Sequence, residues 1–170
     1  MKREKVSFRI EKAGDEDLKE LVPLYLEGYR GLEEYAYTHP DDVKAYVDWL
    51  RRRDREGIFV AKVGGKVVGF VAGDANWFSK REHKKVGAVH EIVVLPEYRG
   101  MGIGTALMDR VLSYFREKGL HTAELWVGDE NYTALEFYRR LGFREKGQYN
   151  YWIRMVLDLD GDSKGPVSSG

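Results

Sequence analysis

The residues best suited to chemistry lie in one run, Glu91-Ile92-Val93-Val94-Leu95-Pro96-Glu97-Tyr98-Arg99-Gly100-Met101-Gly102-Ile103-Gly104-Thr105. A hydrophobic strand carrying the carboxylate of Glu91 runs into a glycine-rich turn. The turn opens an amphipathic helix with Ile103, Leu107, Val111 and Tyr114/Phe115 on its apolar side. The start of such a helix offers backbone N–H groups without intrahelical acceptors, at the positive end of the helix dipole. Glycines let a bulky polyanion approach the backbone. The dipole contributes roughly 0.3–1 kcal/mol, up to about 2 in a sheltered site. Amide hydrogen bonds and the Arg99 guanidinium must then supply the rest, because charge-assisted bonds are the stronger kind. The predicted chemistry is capture of a phosphate-bearing ligand by Arg99 to Thr105.

Two common phosphate motifs do not fit. A P-loop needs Gly-Lys-Ser/Thr after its spacer, which is missing. In a dinucleotide fingerprint counted from Gly100 the last glycine falls on Thr105, and counted from Gly102 it falls on Leu107. The spacing Arg99-x-x-Gly102-x-Gly104 instead resembles the pyrophosphate loop of the GNAT superfamily of N-acetyltransferases. Asn131-x-x-Ala134-x-x-Phe137-Tyr138, followed by a helix-ending Gly142-Phe143, resembles the second motif of the same superfamily. The start Phe8 to Asp15 and the Gly64-Gly65 hairpin resemble it too. The resemblance spans roughly residues 6 to 158.

That resemblance implies a mixed α/β fold. Its central sheet is mostly antiparallel, splayed between the fourth and fifth strands and flanked by about four helices. It implies acetyl-CoA as cosubstrate, with no metal, and an amine acceptor that is a small molecule or a protein. The backbones of Ile92, Val93 and Val94 would contact the pantetheine arm, while their side chains join the core. Arg99, Gly100, Met101, Gly102, Ile103, Gly104 and Thr105 would hold the pyrophosphate. Asn131 would cap its helix, bond the pantetheine amides, or both.

A Lys-like amine has an unperturbed pKa of about 10.4 and must lose a proton before or during attack. Glu91 is the candidate base, directly or through water, because a carboxylate in an apolar strand is costly unless paired or used. The competing reading is a paired structural carboxylate or a residue on a solvated face. The resemblance implies Tyr138 as the candidate general acid for the CoA sulfur, because tyrosines at this motif position in the superfamily often point there, and an unperturbed phenol (pKa roughly 10) stays protonated at neutral pH and can donate. The alternative there is a packing tyrosine. Phe137 reads as core, His90 as facing the other side of its strand, and Glu124 as a reserve base. The resemblance also implies that the loop from Gly28 to Pro40, with Gly147 to Trp152, shapes the acceptor site. Glu33 and Glu34 beside Tyr35 and Tyr37 suit a cationic amine, or are solvated acids and core tyrosines. Trp77 and Phe78 would rim the pocket or pack beneath it.

The elements that must position these residues follow from periodicity. Val6, Phe8 and Ile10 alternate as a strand. Asp15 caps a helix with Leu18, Leu21, Val22 and Tyr25 on its stripe, which Pro23 kinks or splits. Pro40 opens a second helix with Val43, Tyr46, Val47 and Leu50. Ile58 to Val63 and Lys66 to Ala72 flank a tight turn at Gly64-Gly65. Asp74 to Lys85 reads as a polar loop before a strand from Val86 to Leu95. The helix from Ile103 stops at Gly119. Then come a strand Thr122 to Val127, a helix Tyr132 to Leu141, and a closing pair, Phe143 to Lys146 and Tyr149 to Leu159. One acetyltransferase-like domain over 1–159 and a flexible tail over 160–170 are expected.

Composition narrows the classes. The 170 residues suit one domain, and 28 basic residues balance 28 acidic ones. Nucleic-acid binders usually carry a basic surplus, so that class is disfavoured. No cysteine is present, which removes disulfides and thiolate chemistry. With no signal peptide or apolar span visible, the expectation is a cytoplasmic protein without membrane contact, as monomer or homodimer. Arg51-Arg52-Arg53 and the cluster Lys80, Arg81, Lys84, Lys85 read as a solvated helix end and loop without interleaved aromatics. A non-catalytic acyl-CoA-binding regulatory module is the alternative; it would need the phosphate loop but neither Tyr138 nor a base.

Overall fold

Gly64 and Gly65 adopt φ of 56° and 84°, a backbone that glycine enters without steric penalty and that a two-residue hairpin requires. They join β2 (Ile58–Val63) to β3 (Lys66–Ser79). The computed structural model describes residues 6–162. The remaining elements are β1 (Arg9–Lys12), α1 (Asp15–Leu18), α2 (Leu21–Gly28), α3 (Pro40–Arg53), β4 (Lys84–Val94), α4 (Ile103–Glu117), β5 (Thr122–Gly128), α5 (Tyr132–Arg140), β6 (Arg144–Tyr149), β7 (Trp152–Asp158) and α6 (Leu159–Asp162). The strands form one mixed sheet in the order β1-β2-β3-β4-β5-β7-β6. The chain divides into two compact units. One runs to Asp74 and resumes over His90–Val111; the other holds Ala75–Val89 and resumes at Leu112.

In the first unit the expected strand at Val6 to Ile10 begins only at Arg9. Asp15 is not a cap. Gly14 holds the N-cap position, Asp17 accepts the Gly14 amide at 2.8 Å, and Asp15 instead pairs with Arg55. The break before α2 has the predicted cause: the Pro23 ring opposes the carbonyl four residues earlier, at Lys19, where α1 has ended. Leu21, Leu24 and Tyr25 are buried from α2, whereas Val22 is only half-buried. Pro40 opens α3 as expected, and Val43, Val47 and Leu50 are buried from it.

The expected polar loop from Asp74 to Lys85 is mostly strand. β3 continues to Ser79, β4 begins at Lys84, and the turn between them closes with the His83 amide on the Ser79 carbonyl at 2.8 Å. Polar residues enter the sheet here because they are paired. Asp74 is fully buried between Arg53 Nε at 2.7 Å and His90 Nε2 at 2.9 Å. Arg53 is therefore not part of a merely solvated helix end.

In the second unit β4 and β5 run parallel, registered at Gly87↔Ala123 and Ala88↔Glu124, while β5 and β7 share seven antiparallel pairs. Glu124 is buried and ion-paired with Arg154 at 2.7 Å, and the Ser79 hydroxyl donates to it at 2.8 Å. The same Arg154 nitrogen reaches Glu82 at 2.8 Å and, with its hydrogen bond, holds the Glu82 carboxyl below the usual range. α6 is fixed by the Leu159 amide on the His121 carbonyl at 2.9 Å. The start of the expected tail is thus helical, and its remainder, 163–170, lies outside the described residues.

Gly87 is where β4 meets α4. A Cβ there would lie 2.3 Å from the fully buried Phe115 ring. Gly87→Ala should lower stability by about 1–3 kcal/mol through overpacking, measured by urea denaturation. Combining it with Phe115→Leu should cost less than the sum of the two changes, because the smaller side chain makes the room. Additive losses would contradict this contact.

Candidate active site

Glu91 sits on β4 with its carboxylate withdrawn from solvent and both oxygens engaged. Tyr46, from α3, donates to Oε1 at 2.9 Å and lies 3.2 Å from the His90 carbonyl. Tyr29, just past α2, donates to Oε2. Burial pushes the Glu91 carboxyl up to about 7, against the pull of the two phenols. Burial, reinforced by the Glu91 charge, also raises Tyr25 and Tyr46, so both phenols remain protonated. Tyr25 packs against Tyr29 and Tyr46 at ring distances of 4.7 and 5.8 Å, and Tyr37 lies 5.2 Å from Tyr46. The Tyr37 amide donates to the Tyr25 hydroxyl at 3.2 Å.

Sequence reasoning missed Tyr29 and saw Tyr25 and Tyr46 only as stripe residues. Helical periodicity reports which side of a helix is buried, not where a hydroxyl points. Their one signal was the density of tyrosine between residues 25 and 46. His90 is engaged elsewhere, bonded to Asp74 and edge-on to Trp49 at 4.9 Å. Glu124, the reserve base, is committed to Arg154 and Ser79 in the second unit. Glu33 accepts the Gly31 amide with both oxygens, at 3.1 and 3.0 Å, and this holds its carboxyl below the usual range.

At the glycine-rich turn Gly100 and Gly102 take φ of 78° and 87°, and a Cβ on either would meet nothing within 4 Å. The glycines serve the backbone conformation and leave open space in front of it. Ile103, Leu107, Met108 and Val111 are buried from α4, whereas Gly102 and Thr105 are exposed and Met101 half-buried. The Ala106 amide bonds the Gly102 carbonyl at 3.0 Å. The amides of Ile103, Gly104 and Thr105 therefore come before the first amide that donates within the helix. Arg99 directs Nε to the Val94 carbonyl at 3.0 Å and a terminal nitrogen to the Gly28 carbonyl at 2.8 Å. Of the three strand residues expected in the core, Val93 is buried, but Ile92 and Val94 are only half-buried.

In the second unit Asn131 caps α5, its side chain accepting the Ala134 amide at 3.3 Å. Tyr138 is buried on α5 with Phe143 edge-on at 6.0 Å. Phe137 is only half-buried, so the core residue of this pair is Tyr138, one position along the helix. Trp77 and Phe78 lie on β3, not on a loop, and Phe78 is exposed. Within the basic cluster Arg81 lies 4.3 Å from the Tyr149 ring and 5.9 Å from Trp126. Among the described residues no group of three His, Cys, Asp or Glu side chains is placed to hold a metal ion, and no helix is long and apolar enough to cross a membrane.

Comparison with known proteins gives a consistent picture. The model of the acetyltransferase (GNAT) family matches residues 18–143. An uncharacterized N-acetyltransferase of Archaeoglobus fulgidus is 54% identical over 131 residues, covering 77% of this chain and 89% of the relative. A crystallised protein of Pyrococcus horikoshii superposes with a TM-score of 0.81 at 41% identity, covering 89% of this chain and 98% of that one. An N-acetyltransferase of Thermoplasma acidophilum, crystallised in complex with coenzyme A, shares the fold with a TM-score of 0.69 at 18% identity, covering 90% of this chain and 99% of that one. The glycine turn, the strand before it and the helix it opens all lie within the matched span, and the chain belongs to the acetyltransferase (GNAT) family.

Proposed function

We propose that this N-acetyltransferase moves the acetyl group of acetyl-CoA onto a primary amine by direct attack. The amine nitrogen bonds to the thioester carbonyl carbon, the carbon–sulfur bond breaks, the proton from nitrogen passes to Glu91, directly or through water, and Tyr138 protonates the departing thiolate. The observation that carries this reading is the buried, doubly hydrogen-bonded Glu91 carboxylate, held near neutrality. A carboxyl at its ordinary value of about 4.3 binds a proton too weakly to draw one from an ammonium; raised to about 7 it is matched to the task. The coenzyme A complex of a fold relative, the open glycine turn and the α4 amides that lack an intrahelical acceptor support pyrophosphate binding along Arg99 to Thr105. Ile92 to Val94 would then receive the pantetheine arm and Asn131 its amides. The acceptor amine enters beside the tyrosines that surround Glu91.

Glu91→Gln should lower turnover by about 10²-fold or more and remove the acidic limb of the pH–rate profile near pH 7, measured with acetyl-CoA and a panel of amines. A retained limb would disqualify Glu91 as base. The same variant should gain stability at alkaline pH. A carboxyl raised on folding stabilises the native state below its unfolded value and loses that contribution as pH rises through about 7. The cost at pH 8 is about 3 kcal/mol. Urea denaturation should show the variant gaining on the parent between pH 5 and pH 8; a pH-independent difference would contradict the burial argument.

Gly102→Glu should abolish binding of coenzyme A by calorimetry, because it sets bulk and a negative charge where phosphate belongs and strains a positive-φ position. Unchanged affinity would remove the loop assignment. Tyr138→Phe should reduce turnover with coenzyme A affinity nearly intact, and unchanged turnover would remove Tyr138 from the acid role.

A further inference from the structure

Arg99 is the cation of the glycine turn, yet its side chain points to backbone. Nε bonds the Val94 carbonyl at the end of β4, and a terminal nitrogen bonds the Gly28 carbonyl at the end of α2. α2 has no basic residue in its own last turn. A cation at a helix C-terminus satisfies a carbonyl that has no intrahelical donor and complements the negative end of the dipole, and Arg99 does this from 71 residues away. The two elements touch at the same place: a Cβ on Gly28 would lie 2.2 Å from Val93 Cγ1. The residue after Gly28 is Tyr29, whose hydroxyl bonds Glu91, two positions before Val93.

We infer that the Arg99 side chain is a positioning residue that ties the end of α2 to the end of β4 and thereby holds Tyr29 on Glu91. Its planar fork is what allows one side chain to serve two carbonyls from separate elements; a lysine, with a single ammonium, cannot reproduce that geometry. The phosphate loop and the base are thus joined by one guanidinium through its Nε and one terminal nitrogen. The significance of this tie for catalysis rests on Glu91 being the base, but the tie itself can be measured without turnover. The other groups that surround the Glu91 carboxylate are Tyr25 from α2, Tyr37 from the following loop and Tyr46 from α3, with the His90–Asp74 pair alongside.

The test follows the ionisation of Glu91 by carbon NMR in the full chain labelled at the Glu carboxyl carbons, the signal being assigned by its loss in Glu91→Gln. The Tyr29 hydrogen bond favours the charged carboxylate, so Tyr29→Phe should move the Glu91 midpoint to higher pH. Arg99→Met should move it in the same direction, Arg99→Lys by less, and Arg99→Met in the Tyr29→Phe background should add nothing. An unmoved Glu91 midpoint in both folded Arg99 variants, or an effect additive with Tyr29→Phe, would overturn the inference. A pH–rate limb that survives Glu91→Gln would instead defeat the base assignment and leave the tie standing.

Discussion

The first amides of α4 have no carbonyl of their own helix to bond, and much of the first unit is arranged around that deficit. Ile103, Leu107, Met108 and Val111 bury one side of the helix and fix its axis. Gly100 and Gly102 turn the chain into it through conformations that other residues resist, and nothing within 4 Å occupies the space a side chain would take. A helix mouth left open in this way favours an anion, and a diphosphate satisfies several donors at once. β4, which feeds the turn, is the strand that also carries Glu91, so the same backbone that presents the donors sets the depth of the carboxylate.

The carboxylate is held in a compromise. Burial disfavours its charge; two phenols favour it; the balance leaves it near neutral pH. The neighbouring tyrosines keep their own protons, because burial and the Glu91 charge raise Tyr25 and Tyr46. The result is a carboxyl poised near neutral pH among phenols that keep their protons, obtained at the expense of stability in alkali. The second unit makes the opposite use of a buried acid. Glu124 is matched to Arg154 and Ser79, and its charge is spent on structure.

Much of this was legible in the sequence. Glycine spacing identified the turn, and apolar period identified α3, α4 and α5 to within a residue or two. Pro23 announced the break before α2. What failed has a common cause, which is that pairing between distant side chains leaves no periodic trace. Asp74 and Ser79 looked like loop residues because they are polar, but Arg53, His90 and Glu124 make them acceptable inside strands. The partners of Glu91 were hidden for the same reason, since Tyr29 and Tyr46 lie 62 and 45 residues from it. The two carbonyls that Arg99 bonds, Val94 and Gly28, were equally invisible in its motif.

If backbone amides at the start of α4 hold a diphosphate, a crystal structure with coenzyme A bound will have diphosphate oxygens within hydrogen-bonding distance of amides between Gly100 and Thr105. A nucleotide bound elsewhere, with this helix start vacant, would contradict that assignment.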